Sequence, residues 1–131
     1  MADNKMTIRR MFDEVVNQGR LELIDELCDP EFETTTPMGV LDRDGFRDFV
    51  AGWRAGFSDV HCEIYDLIAE GDIVAWGVRA TGTNDGEFNG MPATGKKVDF
   101  DSLNIAHVRN GKYYRHNVLM DLATMMSQLS S

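Results

Sequence analysis

The sequence predicts an α+β domain in which a few helices pack on one face of a strongly curved, mixed but mostly antiparallel sheet and enclose a pocket. Three observations carry this. Apolar residues recur at helical spacing as far as Phe57, the period changes to alternation from Val60, and an Asn110-Gly111 turn joins two long alternating runs. Helical and extended segments are segregated, which argues against a doubly wound parallel sheet.

The elements follow in order. Ile8, Met11, Phe12, Val15 and Val16 form the apolar stripe of a first helix, with Asp3 or Asn4 placed to cap it and Gly19 to stop it. "RLELIDELC" puts Leu21, Ile24, Leu27 and Cys28 on one stripe, a second short helix ending before Pro30. "EFETTT" is a short strand running into the turn "PMG". "DRDGFRDFVAGWRAGF" is a third helix with an aromatic face of Phe46, Phe49, Trp53 and Phe57. "VHCEIYDLIAEGDIVAWGVRATGT" reads as two strands joined at Glu70-Gly71-Asp72. "GEFNGMPATGKKV" is a glycine-rich loop or irregular strand pair, and "DFDSLNIAHVRNGKYYRHNVLM" is a hairpin about Asn110-Gly111, since a type I′ turn needs positive φ at both central residues. "DLATMMSQL" returns to helix.

A chain of 131 residues fits one domain, residues 1–131. With 13 Lys and Arg against 22 Asp and Glu, its net charge of −9 and the lack of a basic cluster larger than Lys96-Lys97 argue against nucleic acid and anionic membranes as partners. No apolar run reaches the length of a membrane span, and the polar start "MADNKMTIRR" is unlike a signal peptide, so a cytoplasmic location is expected. Cys28 and Cys62 lack CxxC spacing and read as reduced, buried small hydrophobes. His61, His107 and His116 show no HExxH arrangement, so a metal site is not expected unless folding brings dispersed ligands together.

Helices laid on one face of a curved sheet leave a cone between the layers. Trp53 and Phe57 line it if the aromatic face of the third helix points inward; the same stripe is otherwise ordinary core. Strict alternation from Lys112 puts Tyr113, Arg115, Asn117, Leu119 and Asp121 on one face and Tyr114, His116, Val118 and Met120 on the other. The first face is expected to look into the cone, with His116 at the rim or on the opposite face. In the preceding strand Asp99, Asp101, Leu103, Ile105 and His107 share a face, and pairing about the turn sets His107 opposite Lys112 to Arg115.

The pieces "VVNQGRLELIDELCDPEF", "LIAEGDIVAWGVRATGT", "GEFNGMPATGKKV", "HVRNGKYYRH" and "MDLATMMSQL", in this order, resemble the SnoaL-like polyketide cyclases of the nuclear-transport-factor-two-like superfamily. The resemblance implies a cone-shaped α+β barrel, a homodimer formed through the sheet, and cofactor-independent aldol-type ring closure. It implies Asp121 as catalytic acid and base and His107, fourteen residues earlier, as its assistant. His116 matches the histidine of the family's usual "EHW", whose glutamate and tryptophan are here Arg115 and Asn117; the smaller Asn117 would enlarge the pocket and add a donor and an acceptor. Thr35 stands where many relatives carry a pocket histidine or asparagine.

A carboxyl in an apolar pocket gains a pKa suited to proton transfer, whereas a carboxylate capping a helix stays ionised; both readings of Asp121 remain open at this point. Arg79, in an otherwise apolar strand, is either a sheet-face ion pair or a pocket cation that holds an oxyanion. The expected function is therefore a SnoaL-like cyclase or isomerase acting on an oxygenated, largely apolar small molecule, with His107, His116 and Asn117 orienting it. The alternatives are a noncatalytic small-molecule binding protein of the same fold and a limonene-type epoxide hydrolase using Asp121, Asp101 and Arg79.

Overall fold

The computed structural model describes residues 4–130, so Asp3, one of the two expected caps, lies outside the described residues. The elements are α1 (Asn4–Arg10), continued by a π-helical turn (Met11–Val16), a 3-10 turn (Leu21–Leu23) leading into α2 (Ile24–Leu27), β1 (Cys28–Thr36), β2 (Gly39–Asp42), α3 (Arg43–Gly56), β3 (His61–Glu70), β4 (Ile73–Thr83), β5 (Lys97–Arg109), β6 (Lys112–Met120) and α4 (Leu122–Ser130). Among the described residues the strands form one curled sheet in the order β2-β1-β6-β5-β4-β3. It is antiparallel except where β1 runs parallel to β6.

Both hairpins form where turn chemistry places them. Asn110 and Gly111 have φ of 54° and 75°, the left-handed pair that a type I′ turn requires, and Gly71 turns β3 into β4 with φ of 59°. The loop after β4 is largely irregular, and the strand resumes only at Lys97. β2 was not expected from the sequence: four residues are too few for a period to show, and the strand is held only as an edge partner of β1. Regular pairing of β1 with β6 is interrupted between Cys28 and Glu33, the stretch that contains Pro30, which has no N–H to donate.

α3 begins where Asp42 accepts a hydrogen bond from the Gly45 backbone N–H at 2.7 Å. Its Phe46, Val50 and Trp53 are buried against the concave face of the sheet. The core falls into two clusters. Ile8, Met11, Val15, Phe32, Val74, Trp76 and Tyr113 make one, toward α1 and α2. Trp53, Phe57, Phe88, Val98, Phe100, Met125 and Leu129 make the other, beneath α4. The cavity lies between the helices and the sheet, lined from both clusters.

Candidate functional site

Side-chain direction in the strands decides what the cavity contains. β5 alternates without interruption, so Val98, Phe100, Ser102, Asn104, Ala106 and Val108 are buried while Asp99 to Arg109 at odd positions are exposed. β6 does not alternate. Val108 pairs with Tyr113 and His107 with Arg115, leaving Tyr114 as an extra residue, a β-bulge. The bulge shifts the phase, so Tyr113, His116 and Val118 all point inward and are buried. In β1, Phe32, Thr34 and Thr36 are the buried set.

The side chains leave a cavity of about 90 Å³. This exceeds the roughly 30 Å³ share of one water and falls short of the ~300 Å³ of small drug-sized pockets, so a molecule of two or more rings enters only as wall side chains move. Most of the wall is apolar, with Phe49, Trp53, Phe57 and Phe100 among its rings. Its polar groups are Thr81 on β4 and a set gathered on β1, β5 and β6: Thr34, Ser102, Asn104, Tyr113 and His116.

Four of the latter set form a chain of hydrogen bonds. Thr34 Oγ1 lies 2.8 Å from His116 Nδ1, His116 Nε2 lies 2.9 Å from Asn104 Oδ1, and Asn104 Nδ2 donates to Ser102 Oγ at 3.2 Å. With the Asn104 amide oriented this way, Nε2 carries the ring proton and Nδ1 accepts from the Thr34 hydroxyl. Burial pushes the His116 pKa down to about 4, so the imidazole is neutral near pH 7. The ring is clamped by Trp76, stacked on it at 5.6 Å and 5°, and by the edge of Tyr113 at 5.9 Å. Tyr113 Oη, Trp53 Nε1 and Trp76 Nε1 are buried without a hydrogen-bond partner among the described residues.

The structure brings Trp53, Phe57 and His116 to the cavity and corrects the placement of the other expected site residues. Asp121 is exposed and caps α4: its Oδ1 accepts from the Thr124 N–H at 3.1 Å and its Oδ2 from the Thr124 hydroxyl at 2.6 Å. Those bonds hold its carboxyl below the ordinary range, opposite to the upward shift a general acid needs. His107 is exposed at an odd position of β5, opposite Arg115. Asn117 is exposed because the bulge reverses the expected phase, and Thr35 faces outward while its neighbour Thr34 faces in. Arg79 is exposed and donates from Nε to Asp99 Oδ1 at 2.8 Å, the sheet-face ion pair. Asp101 is exposed too and receives the Tyr65 hydroxyl, so the carboxylates and arginine of an epoxide hydrolase do not surround the cavity.

Thr34, Ser102 and Asn104 escaped the sequence reading. A signal for two of them existed: the even positions of β5 read Val, Phe, Ser, Asn, Ala, Val, an apolar face with two polar interruptions. Thr34 had no such mark, since Thr34, Thr35 and Thr36 are alike in sequence. Among the described residues no group of three or more His, Cys, Asp or Glu side chains is assembled as a metal site.

Helices in the concave side of a curled mixed sheet, around a largely apolar cavity, define a small-molecule-binding α+β cone. The chain belongs to the SnoaL-like polyketide cyclase family, whose model matches residues 6–129. It is similar to IdmH, a candidate polyketide cyclase from Streptomyces antibioticus, at 30% identity and a TM-score of 0.87, over 98% of this chain and 99% of that one. A candidate SnoaL-like polyketide cyclase from Jannaschia sp. CCS1 matches at 26% identity and a TM-score of 0.89, over 98% of this chain and 92% of that one. AclR from Streptomyces galilaeus, a candidate hydroxylase, shares the fold at 22% identity and a TM-score of 0.86, over 97% and 95% of the two chains. No curated protein matches the sequence significantly. No helix among the described residues is long and apolar enough to cross a membrane.

Proposed function

We propose that this protein is a cofactor-independent cyclase or isomerase that moves a proton beside a carbonyl of an oxygenated, largely apolar molecule held in the cavity. The proton-transfer pair is Thr34 and His116, in place of the Asp121 and His107 that the family resemblance suggested. The observation that carries this reading is the hydrogen-bond chain Thr34–His116–Asn104–Ser102 in the cavity wall. A hydroxyl donating to a neutral imidazole, itself oriented by an amide, is the nucleophile–base–orienter logic applied to a proton. As His116 Nδ1 takes the Thr34 proton, Thr34 Oγ1 takes one from the carbon beside the carbonyl. After the new bond forms, the same pair returns a proton to the alkoxide oxygen, so no net proton is gained or lost.

The test uses hydrogen–deuterium exchange at the acidic methylene of 2-tetralone in D2O, followed by NMR. Thr34→Val and His116→Gln are expected to lose about 10²-fold or more of the enzyme-dependent exchange, while Asp121→Asn retains it. Retention in Thr34→Val with loss in Asp121→Asn would sink the assignment. A noncatalytic binding role is the second reading, favoured by the fact that both nitrogens of His116 already have protein partners. In that case 2-tetralone binds and exchange stays at the uncatalysed rate.

The working unit is proposed to be a homodimer formed through the outer face of the sheet. Leu103 and Leu119, paired across β5 and β6, are 62% and 74% exposed, and Ile105 lies beside them at 42%; a run of apolar side chains on an otherwise polar face supports a second copy as its cover.

A further inference from the structure

We propose that Arg115 is a positioning residue: it fixes the register in which β6 pairs with its neighbours and so decides that His116, and not Asn117, faces the cavity. This inference rests on the reading of Thr34 and His116 as the working pair. Its first support is that β6 has two registers open to it. Carried on from Val108 and Tyr113 without the bulge, a regular ladder would set Arg115 opposite Ala106, His116 opposite Ile105 and Asn117 opposite Asn104. Ala106 and Asn104 are buried and Ile105 is exposed, so the imidazole would leave the interior and the amide would enter it. In the observed register Arg115 pairs with His107 on the outer face, and His116 with Ala106.

The second support is that a guanidinium separates these registers. Ala106 belongs to the core cluster of Val74, Trp76 and Tyr113, and a charge pushed in beside it would give up its hydration to apolar side chains. Outside, the same group is held: Arg115 Nη1 donates to Glu31 O at 2.8 Å and to Tyr114 O at 2.9 Å, and the guanidinium lies over the Tyr114 ring, 4.0 Å from its centroid. Arg109 stacks on that ring too, at 3.5 Å, and reaches Asp29 and Glu31. The third support is that β1 and β6 are irregular at one shared place. Between the pairs Cys28–Tyr113 and Glu33–Arg115, β1 advances five residues while β6 advances two, and the bond from Arg115 to Glu31 O ties the extra length of β1 to the bulge. Past this point Thr34 pairs with His116, and the 2.8 Å hydrogen bond joins them.

The test follows the His116 ring by NMR across pH, its signal assigned by its absence in His116→Gln. In the wild type the imidazole is expected to stay neutral through pH 6.5, its pKa being held down to about 4. Arg115→Leu removes the charge and offers the interior an apolar side chain. It is expected to move that titration up toward 6.5 and to cut the exchange of 2-tetralone about tenfold or more, as most chains turn His116 outward. Arg115→Lys keeps a charge that resists burial and is expected to leave His116 inside. Deleting Tyr114 from Arg115→Leu takes out the extra residue, so a regular ladder again puts His116 opposite Ala106, and the low titration is expected to return. A loss of packing would not be repaired by removing a second side chain. The inference is overturned if Arg115→Leu titrates as the wild type, if Arg115→Lys does not, or if the deletion fails to restore the low titration. Should Arg115→Leu not fold, the chain that also lacks Tyr114 decides: folded with His116 inside it supports the inference, and unfolded it overturns it. Absence of 2-tetralone exchange in the wild type, with these titrations as expected, would remove the proton-transfer reading and leave the register inference standing.

Discussion

His116 shows how one buried side chain sets a pH response. Its ordinary pKa of 6.5 applies in the unfolded chain and falls to about 4 in the folded one, so between these values the unfolded state binds the extra proton. Stability is therefore full above pH 6.5 and is lost as pH falls toward 4, by about 3 kcal/mol at pH 4 from this group alone. Urea denaturation at pH 7 and pH 4.5 checks the sign, and His116→Gln should flatten that part of the slope. Asp121 caps α4: Asp121→Ala should lower Tm by roughly 2–5 °C through loss of that cap and leave 2-tetralone binding unchanged. A shift in 2-tetralone affinity with no change in Tm would contradict the cap. The contrast between these residues explains what the sequence could and could not disclose. Trp53 was legible because a helix keeps its period, and Phe57 follows directly on the end of α3, whereas Asn117 and His116 exchanged faces because a bulge at Tyr114 adds a residue that alternation does not count.

At the scale of elements, local chemistry predicted what local chemistry controls. The two hairpins, α3 and the final helix followed from turn residues and period, while β2 and the π-helical turn Met11–Val16 depend on tertiary partners. Arg54 stands at the end of that turn and donates to Val16 O at 2.6 Å and Asn17 O at 3.2 Å, bonds between residues some 37 positions apart that no local pattern announces. The loop between β4 and β5 is tied in a similar way. Buried Asn84 donates to Gly56 O and Gly86 O and accepts from the Thr94 N–H and hydroxyl. These bonds hold Phe88 against Trp53, 4.5 Å between ring centroids. Asn84→Ala should destabilise the protein by about 3 kcal/mol and loosen this loop first. Hydrogen exchange at Thr94 and Gly95 measures it; protection equal to wild type would show that the loop is held by Phe88 alone.

For the whole molecule, the fold class was the most legible level, because segregated periods and a meander of long strands leave few ways to bury both. The two faces of the sheet then divide the work: the concave face closes on the cavity, and the convex face carries Leu103, Ile105 and Leu119 among charged neighbours. Light scattering on the wild type and on a Leu103→Lys/Leu119→Lys variant tests the homodimer, with dimer mass expected for the first and monomer mass for the second. A monomeric wild type at tens of micromolar would remove the proposal. The two halves of the core have one more consequence, an optical one. Each half holds one of the chain's two tryptophans, Trp53 in one and Trp76 in the other. Single-tryptophan variants would therefore emit from one half at a time, so that coincident or separated melting of the two signals reveals whether the interior unfolds as one unit. Trp76, lying flat against His116, would in addition dim as the imidazole gains its proton and so serve as an internal pH indicator.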